Sequence, residues 1–238
     1  MQFQYIKLLF STTLIIIITS SLPAQSSFDL SGGAHFVNRY IWRGLEINGT
    51  PNIQPTVEAI YGGLTAGLWG SYAIAESSTS DEIDLYLSYT FSTTSAGDFS
   101  FLFTDYYFPV GSRISDFSDS SSHYLEASFN YSGPSAIPIS LYLGYTFKPK
   151  LTQALYWEVS YATTVTSFGF NIFVGGTDGG KDDAAYYGTS AFAVINTGFI
   201  VSKVIELNET FSMPLSVSFI LNPNQEKVYL IFGVGLSM

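Results

Sequence analysis

The chain has 238 residues, of which 47 % are hydrophobic and only 12 % charged, and its net charge is −10. A soluble domain carries about a quarter of charged residues, so part of this surface is expected to meet something other than water. The acidic balance excludes nucleic acid as a partner, because phosphate binding rests on basic side chains, and the lack of cysteine excludes a disulfide framework or a lipid-modified cysteine.

The first residues read as a secretory leader. A short n-region to Lys7 precedes an apolar core over 8–22 and a small-residue exit, Leu22-Pro23-Ala24. The pattern predicts cleavage near Ala24, leaving residues 25–238 as one domain. A membrane anchor is the alternative, but the segment is diluted by serine and threonine and is shorter than the roughly 20 apolar residues of a spanning helix. The 20 Phe and 17 Tyr favour strands, since flat side chains pack well on a pleated surface.

From residue 28 onward an apolar/polar alternation of period two recurs to the last residue, broken by clusters of Gly, Pro, Asn, Asp and Ser. It predicts twelve strands, at 28–42, 51–61, 63–75, 82–92, 98–108, 123–132, 138–148, 153–164, 166–176, 189–204, 211–222 and 227–238. In the clearest, Ile83, Leu85, Leu87, Tyr89 and Phe91 share one face, and Asp84, Tyr86, Ser88 and Thr90 the other. Most of the twelve reach the 9 to 11 residues that cross a tilted bilayer path. Globular strands average about 5 to 6. An even count permits antiparallel closure with both termini on the periplasmic side, and the longer connections should then follow odd strands. The two longest, 109–122 and 177–188, do so, whereas 205–210 is longer than the rule expects.

A sheet in hydrocarbon must close on itself, because no water is there to satisfy a free backbone N–H or C=O. The expected fold is therefore an all-β transmembrane antiparallel barrel of about twelve strands in a bacterial outer membrane, with apolar residues toward lipid and polar residues toward the lumen. The alternative is a soluble barrel with a greasy interior. Tyr40, Trp42, Tyr106, Tyr107, Tyr131 and Trp157 fall at strand ends as interfacial girdles would. Gly233, Leu236 and Met238 resemble a C-terminal insertion signal, with Met238 in place of the usual terminal aromatic.

Several motifs resemble the TorF-type porins: Arg43-Gly44-Leu45 after an aromatic strand, Gln54, Gly67-Leu68-Trp69-Gly70-Ser71, Glu82-Ile83-Asp84-Leu85-Tyr86 with Tyr89, Asp105-Tyr106-Tyr107-Phe108-Pro109, and Tyr124-Leu125-Glu126. The resemblance covers about residues 28–148. It implies an outer-membrane protein of porin type and brings no catalytic residues.

Strand direction places Arg39 and Lys148 near the tops of ascending strands, and Asp84, Glu126 and Glu158 near the tops of descending ones, all facing inward. With Glu58, Trp69, Tyr86, Tyr142 and Tyr156 they form the expected lumen lining and constriction. Rings of charge set which ions pass a pore, although the same groups could instead pair and plug the barrel. The expected activity is passive diffusion of small hydrophilic solutes or cations, with outer-membrane lipid as surroundings and no cofactor. The alternative is a non-conducting structural or adhesion barrel acting through loops 109–122 and 177–188. An enzyme would need a nucleophile beside a base. Of the two histidines, His35 can face inward and His123 reads as a solvated loop residue beside Ser120, Ser121 and Ser122. Asp116, Asp119, Asp178, Asp182 and Asp183 read as solvated loop positions rather than a calcium loop, since their spacing is not that of an EF-hand. No metal site is expected.

Overall fold

The structure, a computed structural model, describes residues 27–75, 81–111, 113–118, 121–148, 153–180 and 186–238. The expected leader, Asp119, Ser120, Asp182 and Asp183 lie outside these residues.

Among the described residues fourteen strands form, and twelve of them close into one antiparallel barrel. In chain order the wall consists of β1 (Phe28–Val37), β4 (Asn52–Tyr61), β5 (Leu64–Ala73), β6 (Glu82–Thr93), β7 (Gly97–Tyr107), β8 (His123–Ser132), β9 (Ile139–Lys148), β10 (Ala154–Val165), β11 (Phe168–Thr177), β12 (Ala193–Glu206), β13 (Ser212–Asn222) and β14 (Lys227–Ser237). Each wall strand pairs with its neighbours in sequence. The seam is β1 against β14, from Gly33 opposite Ser237 to Val37 opposite Gly233. The wall of twelve strands leaves no edge open, as the fold class anticipated.

The alternation is inverted relative to a water-soluble core. On β6, Leu85, Leu87, Tyr89 and Phe91 are 42–55 % exposed on the outer face, whereas Glu82, Asp84, Ser88 and Thr90 are buried inside. On β9, Leu141, Leu143 and Tyr145 point out, and Tyr142 and Thr146 point in. Phenylalanines continue the outer row across strands, with Phe91 stacked on Phe99 and Phe101 against Phe129. Long connections, 38–51, 108–122 and 178–192, gather at one end. The opposite end has the tight turns 62–63 and 166–167. The segment expected to be a long connection after strand ten is shortened because β12 runs on through Glu206, its backbone paired with Ser212.

The first expected strand, 28–42, is not one strand. The wall ends at Val37, and Asn38 finishes the seam: its N–H donates to Phe232 O (3.2 Å), its Nδ2 to Leu230 O (3.3 Å), and its Oδ1 accepts from Phe232 N–H (2.9 Å). The chain then turns into the barrel as a hairpin of β2 (Tyr40–Trp42) and β3 (Leu45–Asn48). Its turn is Arg43-Gly44, both at positive φ, 50° and 78°. Two consecutive left-handed residues make the tight turn whose twist matches a hairpin. Gly44 is obligatory there on a second ground, since a Cβ would stand 1.9 Å from the Ile195 carbonyl oxygen.

The hydrophobic core therefore lies in the lumen. Tyr40 and Trp42 pack on Tyr106, Tyr142, Tyr156, Tyr187 and Ile195. Ile41, pointing the other way as alternation requires, packs with Val37, Phe173, Ile220, Tyr229 and Ile231. The three residues of β2 thus bridge opposite walls.

Candidate functional site: the inward hairpin and its charged lumen

Arg43 sits at the hairpin tip with its side chain fully buried. Its guanidinium binds Glu126 of β8 as a fork, Nη1 to Oε2 at 2.6 Å and Nη2 to Oε1 at 2.7 Å, and also donates to Tyr187 Oη (2.8 Å) and Tyr142 Oη (2.7 Å). It lies over the rings of Trp42 and Tyr156, each 4.4 Å from the ring centre. Planar, permanently charged and able to stack, arginine suits a buried carboxylate partner as lysine does not. Glu126 in turn accepts from Tyr106 Oη (3.1 Å), Thr146 Oγ1 (3.3 Å) and the Tyr142 hydroxyl. A non-glycine residue in the left-handed region is strained by about 1–3 kcal/mol, a strain that persists only where surroundings over-determine it. The fork and the two stacked rings do so here.

The expected lining residues surround this tie. Glu158 accepts from Tyr156 Oη (2.5 Å) and Asn196 Nδ2 (3.0 Å). Glu58, lower in the barrel, accepts from Ser31 Oγ (3.1 Å) and Tyr86 Oη (2.9 Å). Trp69 packs on the Tyr40 ring at 5.6 Å. Asp84 is buried beside Glu82, with Asp84 Oδ1 and Glu82 Oε2 making no hydrogen bond. Arg39 lies just beyond the end of the wall strand, and pairs with Glu46 of the hairpin at 2.9 Å in a half-exposed position.

Two expectations need correction. Lys148 does not join the lumen network. A bulge opposite Leu125 and Glu126 brings Lys148 into register with Leu125, a residue of the outward row. One inserted residue reverses the face of every residue beyond it, and Lys148 Nζ donates to the Phe117 carbonyl instead. His123 is not a solvated loop residue either. It is buried on the outer face, its Nδ1 within 2.9 and 3.0 Å of the Asp105 carboxylate oxygens, between the rings of Tyr107 (4.4 Å) and Phe117 (4.2 Å). Its Nε2 and the Ser121 Oγ are both buried without hydrogen-bond partners. A histidine oriented by a carboxylate is thus present, but no described hydroxyl is bonded to it. In the same loop Asp116 is exposed, and the Ser118 backbone N–H, donating at 3.0 Å, holds its carboxyl below the usual range.

Sequence reasoning missed Arg43 and Glu82 as lumen residues. The signal for the first was the Arg43-Gly44 pair between two aromatic-aliphatic segments, a two-residue turn in disguise. For the second it was parity alone, since Glu82 shares a face with Asp84.

Among solved structures the chain is similar to a KdgM porin, with a TM-score of 0.55 over 87 % of this chain and 97 % of that one, at 9 % identity. The fold is that of the KdgM porins. A second structure, a KdgM porin in complex with disordered oligogalacturonate, aligns with a TM-score of 0.52 at 8 % identity, covering 87 % of this chain and 96 % of that one. No family model matches the chain, and no curated protein does.

Proposed function

We propose that this chain is an outer-membrane channel for small hydrophilic solutes, with a preference for cations, whose passage is restricted by the hairpin Tyr40–Asn48. The observation that carries the reading is a closed barrel with an apolar outer face and a lumen crossed by a hairpin tied at Arg43–Glu126. An outer row of leucine, phenylalanine and tyrosine is stable only against lipid, and a closed wall leaves the lumen as the one route across. The fold shared with porins supports the same reading, as do the motifs that resemble TorF-type porins over residues 28–148. In this reading the leader 1–24 is removed on export, which N-terminal sequencing of the outer-membrane fraction tests.

Carboxylates outnumber cationic side chains among the lumen residues named: Glu58, Glu82, Asp84, Glu126 and Glu158 against Arg39 and Arg43. An acidic passage concentrates cations and disfavours an anionic saccharide such as the one seen with the second KdgM porin. Catalysis is not part of this reading. The His123–Asp105 pair is an anchor for the loop above it, and release of fatty acid or peptide by purified protein would overturn that.

A second reading has its own support. Arg43 and Glu126 are 0 and 1 % exposed in their side chains, so the hairpin fills the lumen where they meet, and a barrel closed at that level serves as a structural or adhesion element through loops 109–122 and 177–188. Planar-bilayer recording on refolded protein separates the two. Discrete conductance steps with cation over anion selectivity are expected; well-folded protein without steps excludes the channel.

A further inference from the structure

The outward row of β7 runs Phe99, Phe101, Phe103, Asp105 and Tyr107, and its two ends differ. Phe101 and Phe103 are exposed, whereas Asp105 and Tyr107 are buried, as is His123, the register partner of Tyr107 on β8. The wall does not supply this cover, because Asp105 lies in register between Leu125 and Leu85, and Leu85 is exposed. The cover comes from the connection that follows β7. Phe108 N–H donates to Ser122 O (3.0 Å), which closes loop 108–122 at its base. Phe117 then folds back so that its ring stacks on His123 (4.2 Å) and its carbonyl accepts from Lys148 Nζ. Part of the loop thus bends outward over the wall. A carboxylate on a row that faces hydrocarbon is costly unless it is paired and hydrogen-bonded; His123 pairs Asp105, and Phe117 covers the imidazole.

The cover has an outer surface of its own, and that surface is apolar: Val110, Ile114 and Phe117 are 60, 62 and 49 % exposed. A contiguous apolar patch marks a surface that meets something other than water. Position decides what it meets. The loop lies on the outer face beside Leu85, so its patch continues the apolar face of Leu85, Phe101 and Phe103, and the medium that bathes those residues bathes the patch. The same loop carries exposed Arg113 and Ser115, and irregular backbone is not tolerated in bare hydrocarbon. An element with one apolar face and a polar remainder rests at the boundary between headgroups and acyl chains.

We infer that loop 108–122 is seated in the lipid boundary on the outside of the barrel, with Val110, Ile114 and Phe117 against acyl chains and Arg113 among the headgroups. The inference rests on the outer-membrane reading, since it needs lipid around the wall. It assigns the loop a lipid partner, and a loop held there is withdrawn from macromolecules in the medium.

The chain has no cysteine, so a single substitution places a nitroxide spin label at one chosen site. The full protein is refolded into phosphatidylcholine vesicles as Ile114→Cys, Val110→Cys, Leu87→Cys on the outer face of β6, or Asn224→Cys in the exposed turn between β13 and β14. Collisions of the label are measured with oxygen, which partitions into lipid, and with a nickel chelate, which stays in water. At Val110 and Ile114, chelate collisions are expected about tenfold below those at Asn224, the factor that removing one large apolar side chain from water corresponds to. Oxygen collisions there should match those at Leu87. All four sites are exposed, so the variants should fold, which β-sheet circular dichroism checks, and Val110 and Ile114 report independently. A patch as open to the chelate as Asn224, with Leu87 sheltered, overturns the inference and leaves the membrane reading intact. Leu87 open to the chelate overturns that reading and the inference with it. Val110 and Ile114 closed to both probes would mean that protein, such as a second copy of the chain, covers the patch, and also overturns the inference.

Discussion

Replacing Arg43 by methionine tests whether the hairpin is held by its charged tip. Arg43 makes four hydrogen bonds, two of them the fork to Glu126. Breaking a buried ion pair costs about 3–5 kcal/mol, chiefly through the charge left behind. Here Glu126 keeps the Tyr106, Tyr142 and Thr146 hydroxyls, so the lower figure, about 3 kcal/mol, applies, and at about 1.4 kcal/mol per decade it multiplies the undocked population roughly 150-fold. Tyr40, Ile41 and Trp42 still bury apolar surface, so the hairpin remains mostly docked. The wall ladders do not run through it, since β1 pairs with β14 and β4 directly. The expected outcome is an unchanged β-sheet spectrum, a lower melting temperature, and openings to a larger conductance level that are on the order of 100 times more frequent. The double variant Arg43→Met/Glu126→Gln should recover part of the stability, because it removes the stranded charge, but not the closed state. If Arg43→Met conducts as the parent does and its tryptophans are no more accessible to iodide, the hairpin is not what restricts the lumen.

Other outcomes rest on single contacts. Gly44→Ala forces a methyl onto the Ile195 carbonyl and adds left-handed strain, so it should displace the hairpin and show the same enlarged conductance with the barrel intact. Leu87→Arg puts a charge on the outer face, where about 2–4 kcal/mol of stability is lost at a bilayer midplane; denaturant titration in vesicles should register it, and no loss would argue that this face meets water. His123→Ala removes the ring between Tyr107 and Phe117 and strands Asp105, at a cost of about 1–3 kcal/mol. It should expose loop 108–122 to proteolysis many times faster while leaving conductance unchanged, and equal cleavage rates would discount the anchor.

The wall was legible in the sequence because its physics is periodic. Strands such as β6 and β9 alternate so regularly that they can be read residue by residue. The hairpin was not, since Tyr40-Ile41-Trp42 is as rich in β-forming side chains as the strand before it, yet is buried on both faces. Only a turn marks the break, and its left-handed arginine is held by Glu126, 83 residues away, a contact that local sequence does not display. Lys148 illustrates a different limit: a bulge costs one residue of register and inverts a face, and no composition signals it. His123 and Asp105 were within reach. Asp105 falls on the row of Phe101 and Phe103, and a carboxylate on an apolar row demands a partner, which the adjacent strand supplies.

The hairpin also accounts for how a barrel of this size holds its shape. Eight strands leave a lumen that wall side chains fill, and sixteen leave an aqueous channel; twelve leave a space too wide for wall side chains and too narrow for a broad pore. Much of this wall contributes small inward groups, Ser88, Thr90, Ser100, Ser128, Ser202, Ser216 and Ser218, which cannot meet across that span. The segment 38–51 brings in what they lack, two large rings and an isoleucine that reach opposite walls, and so packs one level of the lumen while leaving the others lined by hydroxyls. A filler carrying only apolar residues would be held there without direction. Arg43 gives it one docked position, because the fork to Glu126 forms at a single height and azimuth. Restriction of the lumen is thus a consequence of one contact, and a substitution that frees the hairpin should change conductance while the wall stays closed.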